Sequence, residues 1–207
     1  GSPNTVRFTF KSAFRRSGYS GTGVGGRPAP GDFLLETIGG TGLSFGDGQQ
    51  TSTLRYVVTS VNIADDWLFA EALHPGTNNP GIVHTYAQPG TYTASSYSCC
   101  RVSTLRNGAD GNYGVHTVVH AGSTNRSPVS NMVPVINVAA GGPRSWVVPA
   151  TDPDGDPIRF RMATIAEAGG GSMSQPAGLT IDQTTGVVSW NTTGRATGPY
   201  WTQHIIE

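Results

Sequence analysis

Three aspartates, Asp152, Asp154 and Asp156, stand at i, i+2 and i+4 in the run ATDPDGDP, with Gly155 permitting a sharp bend between them. Carboxylates so spaced can gather round one point, as a hard, oxygen-seeking ion such as Ca²⁺ requires. The same run suits a polar turn in which Asp side chains accept backbone amides, and the spacing leaves both readings open. It is not an EF-hand, because the twelfth loop position would be Ala163, which cannot coordinate. Asp65-Asp66 ahead of Trp67 is either a second acidic site or the start of a helix, whose dipole favours Asp there. Asp47, inside Gly46-Asp47-Gly48, reads as a turn former. The histidines, His74, His84, His116, His120 and His204, lack HExxH or HxH spacing, and only His116 with His120, on one face of a strand, could share a zinc ion. Cys99 and Cys100 are adjacent, which excludes a long-range staple and CxxC chemistry and leaves two free thiols or a vicinal disulfide.

No catalytic set emerges. A hydrolase needs a nucleophile beside a base, or two carboxylates across a cleft. GxSxG is absent, and the only glutamates are Glu36, Glu71, Glu167 and Glu207. The expectation is a chain that is not an enzyme. Tyr19, Trp67, Tyr113, Trp146, Tyr200 and Trp201, read as loop aromatics, could stack on sugar rings. The totals narrow the partners further: 13 Lys plus Arg against 13 Asp plus Glu, at 13% charged, offer no net field for nucleic acid or an anionic membrane surface. No run approaches the roughly 18 apolar residues of a membrane span.

The elements that must hold these residues are strands. Gly at 29 and Pro at 14 of 207 residues describe many short strands separated by turns, and so an all-β fold. Alternation over 5–14 (TVRFTFKSAF) predicts an opening strand, and 17–31 (SGYSGTGVGGRPAPG) an exposed loop. Further strands are expected at 32–38, 53–61, 81–86, 90–104, 114–120 and 131–138. Only 64–73 (ADDWLFAEAL) has helical composition. The run 139–143 (AAGGP) has linker chemistry, so two domains are expected, 1–138 and 139–207.

Two motif sets carry a resemblance. LSFGDG at 43–48, then His84-Thr85-Tyr86 and PGTYT at 89–93, resemble the polycystic-kidney-disease domain, an Ig-like β-sandwich of bacterial surface proteins and secreted hydrolases. ATDPDGDP at 150–157 followed by PAGLTIDQTTGVVSW at 176–190 resembles cadherin-like modules of the dystroglycan or putative-Ig type. The resemblance implies two tandem sandwiches, the second lacking its last strand or strands after 200–207 and open to completion by strand exchange. It also favours Ca²⁺ at the Asp152 run, with Asn131, Asn137 or a linker carbonyl completing the shell. The function implied is a non-catalytic, calcium-stiffened structural and interaction module of a bacterial adhesin or secreted multidomain protein, outside the cell or on its surface. Its partners would be neighbouring domains, a cell-surface protein or a polysaccharide. The alternative is a carbohydrate-binding accessory module of a secreted hydrolase.

Overall fold

The computed structural model describes residues 3–36, 42–171 and 174–207. The described residues form strands, turns and short 3-10 segments, with no α-helix among them. Two compact units divide the chain: Gly1–Tyr97 with His116–Ser123, and Ser98–Val115 with Thr124–Glu207.

The first unit contains β1 (Thr5–Phe8), β2 (Lys11–Arg15), β3 (Phe33–Glu36), β4 (Leu54–Asn62), β5 (Trp67–Ala72), β6 (Ile82–Thr85) and most of β7 (Gly90–Ser98) and β8 (Tyr113–Ala121). One antiparallel sheet has the order β2-β5-β4-β3, while β1 pairs with β6 and β7 with β8. The opening strand of the sequence is therefore two strands that serve different sheets. The alternation survives the break, with Phe8 buried and Phe14 packed against the same core.

β5 overturns the helical expectation for 64–73. Leu68, Ala70 and Ala72 point inward and are buried, while Trp67, Phe69 and Glu71 alternate with them. A central position between β2 and β4 satisfies both edges of this strand, so tertiary pairing outweighs the helix preference of Ala, Glu and Leu. Asp66 consequently caps no helix. It sits in the β4–β5 turn at φ 55°.

Leu34, Tyr56, Val58, Leu68, Ile82 and Tyr86 form the heart of the first core. A fully buried side chain such as Leu68 contributes about 1.5–3 kcal/mol. The strand expected at 32–38 is β3, and its expected last residues, Thr37 and Ile38, lie outside the described residues.

The second unit contains β9 (Val129–Ser130), β10 (Pro143–Val147), β11 (Ala150–Thr151), β12 (Phe160–Met162), β13 (Thr180–Ile181), β14 (Val187–Asn191) and β15 (His204–Ile206). β10, β14 and β13 form one sheet, β9 pairs with β11, and β15 pairs antiparallel with β12. No strand forms over 131–138. Pro134 can donate no backbone hydrogen bond, and Val133 and Val135 are exposed. Val148, Phe160, Leu179, Val188 and Trp190 make a second, separate core. Gly186 is obligatory there: at φ +68° its absent Cβ would lie 3.0 Å from both the Phe160 ring and the Val148 carbonyl.

Candidate functional site

In the first unit, the Asp47 turn and β6 bring together a carboxylate and an imidazole. Asp47 Oδ1 accepts the Gln49 amide at 3.0 Å, which closes the turn and aims the other oxygen at His84. Asp47 Oδ2 and His84 Nε2 lie 2.8 Å apart, and both side chains are nearly buried. The Phe45 ring stacks on the His84 ring at 3.9 Å with 1° between planes, and Tyr86 meets it edge-on at 4.6 Å. Tyr86 in turn donates its hydroxyl to the Phe45 carbonyl at 2.9 Å and stacks on Tyr92 at 4.2 Å.

Burial pushes the Asp47 carboxyl up, but hydrogen bonds from His84 and the Gln49 amide outweigh it and hold the group below its ordinary value. Burial, then the charge of Asp47, pushes the Tyr86 hydroxyl up to about 12. An Asp–His pair could serve a nucleophile as base and orienter. Here aromatic rings cover the imidazole, so the arrangement is a pin between a turn and a strand. Sequence spacing marks Asp47 as a turn former and gives no sign that it bonds His84 across 37 positions.

The acidic turn of the second unit is built from its own amides. Asp152 Oδ1 accepts the backbone N–H groups of Asp154 at 2.8 Å and Asp156 at 3.2 Å. Asp154 Oδ1 accepts Arg126 Nε at 3.0 Å and Nη2 at 2.8 Å, and its Oδ2 accepts the Arg126 amide. The Asn125 amide, turned to satisfy its donors, gives hydrogen bonds to Asp154 Oδ2 at 3.2 Å and Asp156 Oδ2 at 3.0 Å. Arg126 hydrogen bonding holds the Asp154 carboxyl below its ordinary value. Asn131 and Asn137 are exposed on the segment between β9 and β10. N–H groups and a guanidinium engage Asp152 Oδ1, both Asp154 oxygens and Asp156 Oδ2, which is the hydrogen bonding of a polar turn. Among the described residues no three His, Cys, Asp or Glu side chains gather as metal ligands.

A third cluster involves the segment that carries the cysteines. Cys99 and Cys100 are joined as a disulfide, and the next residue, Arg101, is buried. Its guanidinium donates to the carbonyls of Asn112 and Ala168 and lies 4.3 Å from the centre of the Trp201 ring. Burial brings its pKa down to about 10. Asn107 extends the bracket, donating to the Ser174 and Trp201 carbonyls at 2.8 Å and accepting the Trp201 amide.

The remaining candidates are dispersed. Asp66 accepts from Arg15 Nε and the Ser17 amide, Asp65 pairs with Asn62, and His120 meets the Thr91 hydroxyl at 3.0 Å. His74 accepts the Val83 amide, and burial lowers the pKa of His204. Several proposed sugar-stacking rings are packed instead: Tyr19 on Phe14, Trp67 on Phe69, Tyr200 on Trp190 and Trp201 beneath Arg101. A groove of about 360 Å³ opens beside β10 and β12, and Asp156 is its one titratable lining residue.

Two strand-built modules whose acids and aromatic rings are engaged in turns and cores define a tandem, all-β, Ig-like segment. Residues 1–122 match the family model described as integrin beta-like protein A-E, N-terminal, and residues 129–207 the one described as the second Ig-like domain of the same proteins. The chain belongs to the integrin beta-like protein A–E family. It is similar to integrin beta-like protein A of Dictyostelium discoideum, at 34% identity over all of this chain and 10% of that protein. Integrin beta-like protein E of the same organism is 32% identical over 87% of the chain and 9% of its own length. The chain thus spans about a tenth of the length of the curated relatives it matches. No solved structure matches it. The Ig-like character expected from the motifs stands, but the family is neither the polycystic-kidney-disease nor the bacterial cadherin-like one.

Proposed function

We propose that this segment is a non-catalytic extracellular structural and interaction module of an integrin beta-like surface protein, holding and presenting neighbouring domains. The carrying observation is the closure of the Asp47–His84 pair beneath Phe45 and Tyr86, which assigns the best-formed acid–base contact to packing. The relatives, named integrin beta-like, support a cell-surface setting. Stiffness in the second unit comes from Arg126 clamping the Asp152–Asp156 turn.

The test is a segment swap in a full-length family member displayed on cells. Replacement by an unrelated tandem Ig-like spacer of equal length should preserve adhesion if presentation is the whole role, and reduce it if the surface itself is recognised. Turnover of any substrate by the purified segment, lost in a folded His84→Ala variant, would overturn the reading.

A further inference from the structure

Two tripeptides of the second unit carry the acceptor pattern for an N-linked sugar, Asn-x-Ser/Thr with x other than Pro: Asn125-Arg126-Ser127 and Asn191-Thr192-Thr193. The pattern alone does not separate them. Their surroundings do.

Along β14, Val188 and Trp190 are buried, and Ser189 and Asn191 alternate with them onto the exposed face. Asn191 ends the strand and pairs with the exposed Pro143 of β10. The next residue fixes how the tripeptide lies. Thr192 is buried, with its amide and its hydroxyl both donating to the Gly142 carbonyl at 2.9 Å. Anchoring the middle residue inside leaves Asn191 and Thr193 exposed on either side of it. Asn191 Oδ1 accepts the Thr193 amide at 3.0 Å, so the backbone takes the side-chain oxygen, and no partner among the described residues takes Nδ2.

Asn125 is placed differently. Its side-chain nitrogen donates to Asp154 Oδ2 at 3.2 Å and Asp156 Oδ2 at 3.0 Å, and the middle residue, Arg126, is bound to Asp154. Ser127 precedes Pro128, which confines it to extended backbone.

We propose that Asn191 is a site of N-linked glycosylation and that Asn125 is not. The donor is a polyprenyl-pyrophosphate-linked oligosaccharide of the secretory route. Asn191 Nδ2 attacks the anomeric carbon of the sugar, the N–C bond forms and the C–O bond to pyrophosphate breaks. The electron pair leaves on the pyrophosphate, and Nδ2 gives up one of its two protons. At Asn191 that proton serves no hydrogen bond of the fold. At Asn125 its loss removes one of the two donors to the Asp152–Asp156 turn. A sugar attached before folding is therefore accommodated at Asn191 and opposed at Asn125.

The sugar lies at one end of the outer face of β10 and β14. That face carries Pro143, Ser145 and Val147 opposite Asn191, Ser189 and Val187, with no charged side chain in these pairs and Val147 exposed at 52%. β10 is an edge strand of its sheet, and a hydrated glycan beside it hinders another strand from adding there. The inference rests on the extracellular role proposed above, because only a chain in the secretory route meets such a donor.

The test uses the full-length parent protein from its own cells, with the intact cell surface biotinylated first. Electron-transfer fragmentation of the tryptic peptides 162–195 and 107–126 places any sugar on its residue. A glycan on Asn191 and none on Asn125 is expected. Thr193→Ala should abolish the glycan while leaving Asn191 in place, and Thr193→Ser should retain it. Surface-labelled protein with Asn191 bare, or a glycan that survives Thr193→Ala, overturns the Asn191 assignment and leaves the surface role standing. A glycan on Asn125 overturns the selection between the two. Protein that is absent from the surface and bare at Asn191 overturns both the glycan and the extracellular role.

Discussion

Asp47 and His84 meet at 2.8 Å across 37 positions of sequence, one in the tight turn after Phe45 and the other at the centre of β6. The contact ties a turn to a strand, and the aromatic rings of Phe45 and Tyr86 keep water from replacing it. Its role is to hold the aromatic end of the first core in place.

Asp47→Ala should destabilise the first unit by about 1–3 kcal/mol, because the His84 Nε2–H is left buried without its acceptor. Tyr86→Phe, which frees only the Phe45 carbonyl, should cost about 1 kcal/mol. Urea unfolding with unchanged m-values measures both.

Alkaline titration followed at 295 nm should leave Tyr86 silent where exposed tyrosines ionise. Its folded pKa is pushed up to about 12, above the ordinary value of 10. A raised pKa gives stability that is present below pH 10 and lost as pH climbs toward 12, so the late tyrosine signal should coincide with unfolding.

Acid should act on the second unit through Glu167. Hydrogen bonds from Arg161, then from the Thr164 amide, hold its pKa at about 2, against an ordinary value of 4.5. A depressed carboxyl stabilises above pH 4.5 and loses that contribution as pH falls toward 2. Arg161 is 40% exposed, so solvent screening limits the pair to about 1 kcal/mol. Glu167→Gln should flatten the stability profile across that window and leave it unchanged at neutral pH apart from a constant offset.

Metal removal should leave thermal unfolding where it was. Arg126 and backbone amides already engage the oxygens of the Asp152–Asp156 turn, so EDTA and millimolar Ca²⁺ should give the same melting curve. Arg126→Ala should lower the melting temperature and, by freeing Asp154, create a calcium response that the parent protein lacks. A calcium-dependent melt in the parent chain would restore the metal reading.

Much of the fold was legible because period-two alternation is local. β4, β6 and β8 fall within a residue or so of where alternation puts them, and Gly46, Gly48 and Gly186 mark turns that need positive φ. Two of the failures share one cause. β5 was hidden by helix-forming residues, and its strand state depends on the β2 and β4 neighbours that sequence spacing cannot supply. The opening alternation likewise contains no sign of where the chain leaves one sheet for the other.

The candidate sites divide the same way. By itself the sequence determined an all-β chain, because alternation, turn residues and composition act between near neighbours. Which groups meet was left to tertiary structure: Asp47 with His84, Arg126 with Asp154, and Arg101 with Trp201 are partners 37, 28 and 100 residues apart. Whether a carboxylate binds an ion, caps an amide or pins a histidine depends on which donor the fold brings within about 3 Å of it. That distance is set by long-range packing, which no local pattern encodes.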